Sequence, residues 1–474
     1  MRVSAHLEAA KRAESGQDYL AAAEEYKAIL ELRPGWALIH QSLGVTYHLA
    51  KRFPQAIEHL QQAVRLDDQL WGAFLFLGMD YYQTHQFDLA VPVLEKSLAL
   101  NPQIIETRRW LGLGHAALQR YEEAIDHLVQ VTAANAGEAE ALFHLAKVYD
   151  SRASQLFQSI GDQDPDSPFV YLLQAERLAS EDDVPRARAE YRRALAIRPD
   201  LAGTLDILEP GPVDLALNNT RTLGPLSAVR SSFAERRYQD ASTEARRIVA
   251  MEPADTEAMY WLGRAYKGLA AATVDRLTAA APDSYRVDQL AGELHEERTE
   301  YGKAVDAFRR ALEKAPDVPG LRYAIGSAYW KMGSFEEAQT WLEGELERNP
   351  HHVRARYRLG SLLLDRGQPK EALPHLRQAV ATNPALTEAH FDLGRAYLED
   401  EQHGPAAEAL EECARLDPEN DRVHYLLGNA YRGLGRMEDA QREFEAYQEL
   451  SRQRLLKVQQ DVRSVSEDLR QADP

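Results

Sequence analysis

Glycine recurs at intervals of 34 residues, at Gly44, Gly78 and Gly112 and again at Gly326, Gly360, Gly394 and Gly428. A chain that keeps phase in this way is assembled from copies of one short unit, which excludes most single-core architectures at the outset. The rest of the frame travels with the glycine. A leucine or isoleucine precedes each one: Leu43, Leu77, Leu111, Ile325, Leu359, Leu393 and Leu427. Three residues after it stand Tyr47, Tyr81, Tyr329, Tyr397 and Tyr431, and twelve after it Ala56, Ala90, Ala124, Ala338, Ala372, Ala406 and Ala440. Proline closes units at Pro34, Pro102, Pro350, Pro384 and Pro418.

With the glycine placed at slot 8, slots 4, 7, 8 and 11 share one side of a first helix, because successive residues turn by roughly 100°. Glycine at slot 8 and alanine at slot 20 are small enough for two helices of one unit to approach closely. Larger residues at slots 11 and 24 fill the remaining space. Each helix pair leaves an apolar face that only the next pair can cover. Proline at slot 32 cannot continue a helix and marks the turn into the next unit.

These residues resemble the tetratricopeptide repeat family, whose frame runs W/L-x2-L-G-x2-Y, then A-x3-F, then a closing proline. The resemblance covers nearly the whole chain and implies an all-α, right-handed α-solenoid of about thirteen helix–turn–helix units. Four regular units are expected over 3–137 and five over 285–453. From Glu438 the last helix runs on to about Arg470, with Val458, Val462, Val465 and Leu469 at helical spacing, and is expected to cap the stack or to meet a partner.

The middle is less regular. Residues 138–200 align without gaps on 255–317, with 18 of 63 positions identical. Shared residues include Tyr149/Tyr266, Pro165-Asp166-Ser167/Pro282-Asp283-Ser284 and Arg192-Arg193-Ala194-Leu195/Arg309-Arg310-Ala311-Leu312; just upstream, Tyr121/Tyr238 and Ala124/Ala241 keep the same offset. One unit in each copy has 29 residues instead of 34, a shared irregularity that indicates segmental duplication. The internal turn is missing there, so each short unit forms either one long helix or a kinked pair, with Ser167 and Ser284 capping the helix that follows. Between the copies, Glu209-Pro210-Gly211-Pro212 breaks the pattern. The organisation expected is an N-terminal array over 3–200, an irregular linker or degenerate unit over 201–225, a C-terminal array over 226–453 and an extended helix over 454–474.

Composition bears on function mainly by exclusion. The formal net charge of −19 disfavours a phosphate backbone as partner, so no nucleic acid is expected. A single cysteine, Cys413, excludes an intrachain disulfide and a cysteine-based zinc site. No run is long and apolar enough to cross a bilayer, and the first residues lack an apolar leader. The expected location is the cytoplasm, or the periplasm if the start site is misassigned.

The family resemblance also implies where a ligand would bind: slots 2, 5, 9 and 12 of the first helices line the concave groove. The residues there are Tyr260, Arg264, Tyr323, Trp330, Tyr357, Ser361, Phe391, Arg395, Tyr425, Asn429 and Arg432, with Ser327, Lys267, Arg354 and Arg422 beside them. This is an aromatic ladder with arginines next to it. Rings give contact area at low entropic cost and arginine pairs with carboxylates, so an extended peptide with apolar and acidic side chains is the expected occupant. Tyrosine at slot 5 can equally serve as packing between neighbouring units. A clamp for a C-terminal carboxylate, which some members of the family build from lysine at slot 5 and asparagine at slot 9, is not expected: slot 5 carries no lysine and only Asn429 fills slot 9.

No catalytic motif is present. Gly302-Lys303-Ala304 lacks the rest of a phosphate loop, Gly112-x-Gly114 lies inside a helical repeat, and His295-Glu296 is followed by Thr299 where a zinc protease needs a second histidine. His351-His352 sits at a turn. The expectation is a non-enzymatic scaffold without cofactor or metal, holding a protein or peptide. The alternative is an assembly subunit that uses its outer faces and its C-terminal helix within a larger complex.

Overall fold

The computed structural model describes residues 2–181, 183–202, 204 and 225–471, and among these it contains helices and no strand. The chain divides into two compact units, Met1–Pro282 and Asp283–Pro474.

The first unit opens with four hairpins: α1 (Arg2–Ser15) with α2 (Tyr19–Leu32), α3 (Ala37–Leu49) with α4 (Phe53–Leu66), α5 (Trp71–Gln83) with α6 (Phe87–Leu100), and α7 (Ile105–Ala117) with α8 (Tyr121–Ala134). There follow a long α9 (Ala139–Gln163), the hairpin α10 (Pro168–Ser180) and α11 (Val184–Ile197), the pair α12 (Pro225–Ala234) and α13 (Tyr238–Met251), and a second long helix, α14 (Thr256–Ala280). The second unit contains α15 (Tyr285–Glu297), α16 (Tyr301–Lys314), α17 (Leu321–Lys331), α18 (Phe335–Arg348), α19 (Val353–Asp365), α20 (Pro369–Thr382), α21 (Thr387–Glu399), α22 (His403–Leu416), α23 (Asp421–Gly433) and α24 (Met437–Gln471). Its helices pack in chain order, each hairpin against the next. This is the all-α solenoid that the repeat implied.

The close approach within each hairpin is visible at the glycines. A Cβ built on Gly44 would lie 2.5 Å from Leu60 Cγ, and one on Gly394 would lie 2.4 Å from Leu410 Cγ. In both cases slot 8 meets slot 24 of the same unit. The slot 20 alanines Ala56, Ala90, Ala124, Ala338, Ala372 and Ala406 are fully buried. Each fully buried slot 24 leucine contributes roughly 1.5–3 kcal/mol of apolar burial, repeated along the stack.

Turns between the two helices of a unit repeat as well. Slot 15 adopts a left-handed conformation, with Gln17, Lys51, His85, Gln119 and Glu401 near φ +59°, +56°, +59°, +58° and +59°, and Gly333, Gly367 and Gly435 in the same slot. The residue after it closes the first helix, as where the Arg52 N–H donates to the Tyr47 carbonyl at 2.8 Å. That bond satisfies a helix carbonyl otherwise left without a partner.

Each short unit forms one continuous helix of 25 residues, α9 and α14, which resolves the alternative left open by the sequence. Ser167 and Ser284 cap the helices that follow, accepting from the N–H groups of Phe169 and Arg286. The two long helices pack antiparallel against each other. Tyr149 stacks on Tyr266 at 5.5 Å, Asp150 pairs with Lys267 at 2.5 Å, and the Phe157 ring covers Gly263. Of the 201–225 segment, residues 203 and 205–224, with Glu209-Pro210-Gly211-Pro212, lie outside the described residues. The α24 backbone continues to Gln471, while the side chains of Val458, Val462, Val465 and Leu469 are outside the described set.

Candidate functional site

In the second unit the slot 5 residues Tyr323, Tyr357, Phe391 and Tyr425 stand on α17, α19, α21 and α23, the first helices of successive hairpins, each of which contacts the next. Two clefts open along this face. One, of about 450 Å³, is lined by Tyr357, Thr387, Glu388, Phe391, Asp392, Cys413, Asp417 and Asn420. The other, of about 430 Å³, is lined by Phe391, Arg395, Arg422, Tyr425, Leu426 and Tyr447. Phe391 belongs to both.

The aromatic groups differ in how far they are committed to packing. Tyr425 is 48% exposed, although its ring lies against Phe444 and Tyr447 at 6.1 and 5.4 Å. Tyr357 is half-buried, and burial first, then the nearby Asp392 carboxylate, pushes its hydroxyl up to about 12. Tyr323 rests on the ring of His352, which in turn accepts the Ala355 N–H at 3.0 Å and caps α19. Trp330 is covered by the Arg358 guanidinium at 4.2 Å, a cation–π contact in which neither Trp330 Nε1 nor Arg358 Nε has a hydrogen-bond partner among the described residues.

Among the polar groups, Arg395 is already paired. It donates to Asp392 at 3.0 Å and to Asp365 at 3.4 Å. Asp392 is buried, and burial raises its carboxyl above the usual range against the opposing pull of Ser361 and Arg395. Arg395, expected on the groove face, lines the second cleft with its charge already shared between Asp392 and Asp365. Asn429 donates to the Tyr425 carbonyl at 3.0 Å and accepts from Arg432 at 2.8 Å. Arg422 is exposed, lines the second cleft and has no ion-pair partner among the described residues. Ser327 and Ser361 are nearly buried.

Tyr260 and Arg264 belong to the first unit and are corrected as groove residues. Tyr260 is fully buried, with its hydroxyl 3.3 Å from Glu176. The Arg264 guanidinium lies over the rings of Phe233 and Tyr260, pairs with Glu176 at 3.3 Å and donates to the Thr204 carbonyl. Both hold α14 against its neighbours. The long α14 leaves no free first-helix face at these slots, which a single-unit frame cannot reveal. Lys267 is likewise engaged by Asp150.

Several cleft residues were not legible from slots 2, 5, 9 and 12. Thr387 and Asp392 lie at slots 1 and 6 of α21, and Tyr447 comes from the second helix of the last unit, whereas Glu388 occupies slot 2 and was passed over there. Cys413 is fully buried beneath the first cleft, its thiol pushed up to about 12 chiefly by burial. No group of three potential metal ligands occurs among the described residues, and no helix among them is long and apolar enough to cross a membrane.

Stacked helical hairpins with recurring glycine–leucine contacts define the class: an all-α repeat protein. The chain belongs to the tetratricopeptide repeat family, whose profile matches residues 7–70, 77–139, 226–266, 268–319, 323–387 and 362–411, with a second profile of the same description matching 397–460. No protein of curated function matches it. Among solved structures, "MamA 41-end from Desulfovibrio magneticus RS-1" is 30% identical over 36% of this chain and 97% of its own, with a TM-score of 0.34. The structure titled "Crystal structure of YrrB: a TPR protein with an unusual peptide-binding site" is 22% identical over 40% of this chain and 97% of its own, with a TM-score of 0.35.

Proposed function

We propose that this chain is a protein-interaction scaffold, and that the α19–α21–α23 face of its second unit grips a peptide segment of a partner protein. One observation carries the reading: two clefts of several hundred cubic ångströms adjoin along one face and share the half-buried ring of Phe391. Aromatic walls with a few convergent polar groups are what a peptide-binding cleft requires. The solved structure described as a peptide-binding repeat protein has the same kind of repeat, which is in keeping with the reading.

The test is selection from a random displayed-peptide library on the full chain, repeated with Phe391→Ala, Tyr357→Ala and Arg395→Ala. Selected peptides should lose affinity on Phe391→Ala while the melting curve stays cooperative. Peptides that bind all three variants as tightly as the parent would eliminate the groove.

A second reading, an assembly subunit, is favoured by Leu455 and Leu456 on α24, which are 58% and 50% exposed. Mass photometry of the full chain and of a chain ending at residue 453 decides it. A defined oligomer lost on truncation supports assembly, and a monomer in both cases excludes it.

A further inference from the structure

We infer that the segment bound at this face carries a basic side chain on one side of an apolar residue and an acidic side chain on the other. The inference rests on the peptide-groove reading above and specifies the chemistry of the occupant. The two clefts have opposite charge. In the first, Glu388 is exposed, and Asp417 accepts only from Asn420 at 3.2 Å; neither has a cation within ion-pair distance among the described residues. Asp392 in the same wall is neutralised by Arg395, so the uncompensated charge there belongs to Glu388 and Asp417. In the second cleft, Arg395 is occupied by Asp392 and Asp365, whereas Arg422 has no carboxylate within ion-pair distance among the described residues.

Phe391 stands between them as the wall common to both clefts. An apolar side chain laid on this ring places the flanking side chains over opposite charges. A lysine or arginine can run its aliphatic stem along Tyr357 and reach Glu388 and Asp417. An aspartate or glutamate on the other side meets the Arg422 guanidinium in the cleft walled by Tyr425 and Tyr447, where a paired geometry strengthens the contact. On a chain of net charge −19, a purely acidic peptide would be held by Arg422 alone and repelled by the first cleft. The charge pattern thus discriminates between partners as well as binding them.

Fluorescence anisotropy on the full chain tests this, with end-blocked synthetic peptides in a serine–glycine background. One peptide carries lysine, leucine and glutamate at alternate positions; two others replace the lysine or the glutamate by glutamine. The parent chain should bind the doubly charged peptide about tenfold more tightly than either neutralised one. Arg422→Gln should abolish the gain from glutamate and keep that from lysine, and Glu388→Gln should do the reverse. Both residues are exposed, so neither change threatens the fold. A parent chain that binds none of the three, binds all three equally, or loses affinity by one common factor in both variants overturns the proposal. The broader reading is judged separately by Phe391→Ala: if library-selected peptides still lose affinity there, the groove stands and only the charge pattern fails.

Discussion

Tyr149 and Tyr266 occupy the same position in the two copies of the duplicated segment, 117 residues apart, and their rings stack at 5.5 Å with planes 29° apart. The next residues, Asp150 and Lys267, are also counterparts and form an ion pair at 2.5 Å. At these two positions of the antiparallel α9–α14 pair, equivalent residues of the two copies meet each other. Identical residues at the second position would have placed like charges together. Divergence to Asp and Lys removes that repulsion and favours pairing between unlike copies.

The seating of the Phe157 ring on Gly263 gives the first prediction. A Cβ on Gly263 would lie 2.3 Å from Phe157 Cε1. Gly263→Val should destabilise the chain by about 1–3 kcal/mol through overpacking. Phe157→Ala in the same chain should recover part of that loss, a coupling readable from urea midpoints in a double-mutant cycle. Additive effects would show that the ring and the glycine do not meet.

The left-handed turn at slot 15 yields a pair of opposite effects. Lys51 adopts φ +56° with a side chain that disfavours it, whereas Gly333 adopts φ +79° without penalty. Lys51→Gly should stabilise by about 0.5–1 kcal/mol and Gly333→Ala should destabilise by about 1 kcal/mol. Thermal midpoints moving the same way in both variants would contradict the assigned turn.

Acid sensitivity should arise in the first unit. His127 stacks on His115 at 5.6 Å, and burial first, then the His115 and Arg108 charges, lowers its pKa to about 4; Asp126 and Glu123 oppose the shift. The unfolded chain, with histidine near 6.5, binds more protons than the folded chain between these values, so stability rises with pH there. The contribution is complete above about pH 6.5 and is lost as pH falls toward 4. His127→Gln should flatten the stability profile over that window; an unchanged slope would refute the assignment.

Cys413 is fully buried, its Sγ lies 3.5 Å from the Thr387 carbonyl, and its thiol is held up to about 12. In the native chain at pH 8 it should resist a thiol-specific disulfide reagent, and in urea it should react fully. Rapid labelling of the folded chain would mean that the first cleft reaches deeper than its walls indicate.

The hairpin was legible because its determinants are local and repeat: the slot 8 glycine, slot 20 alanine and slot 24 side chain pack within one unit, so Gly44 already implies Leu60. The aromatic ladder on α19, α21 and α23 was legible for the same reason, since one slot recurs on each first helix. The charge state of the site was not. That Arg395 is occupied depends on Asp365 and Asp392, one of them on a neighbouring helix, while Arg422 has no ion-pair partner among the described residues. Tyr447 escaped because it belongs to a second helix that meets the face only after the last hairpin closes.

By itself the sequence determined the unit, its period and its turns, which follow from steric and helical constraints within a few tens of residues, and it exposed the duplication through identities at a fixed offset of 117 residues. Tertiary structure decided how the two copies meet. Packing of α14 against α10 and α12 buries Tyr260 and engages Arg264, while its pairing with α9 ties Lys267 to Asp150. The physical reason is that an apolar helix face specifies the need for a partner, while the choice of partner rests on contacts between residues more than a hundred positions apart, such as Tyr149 with Tyr266.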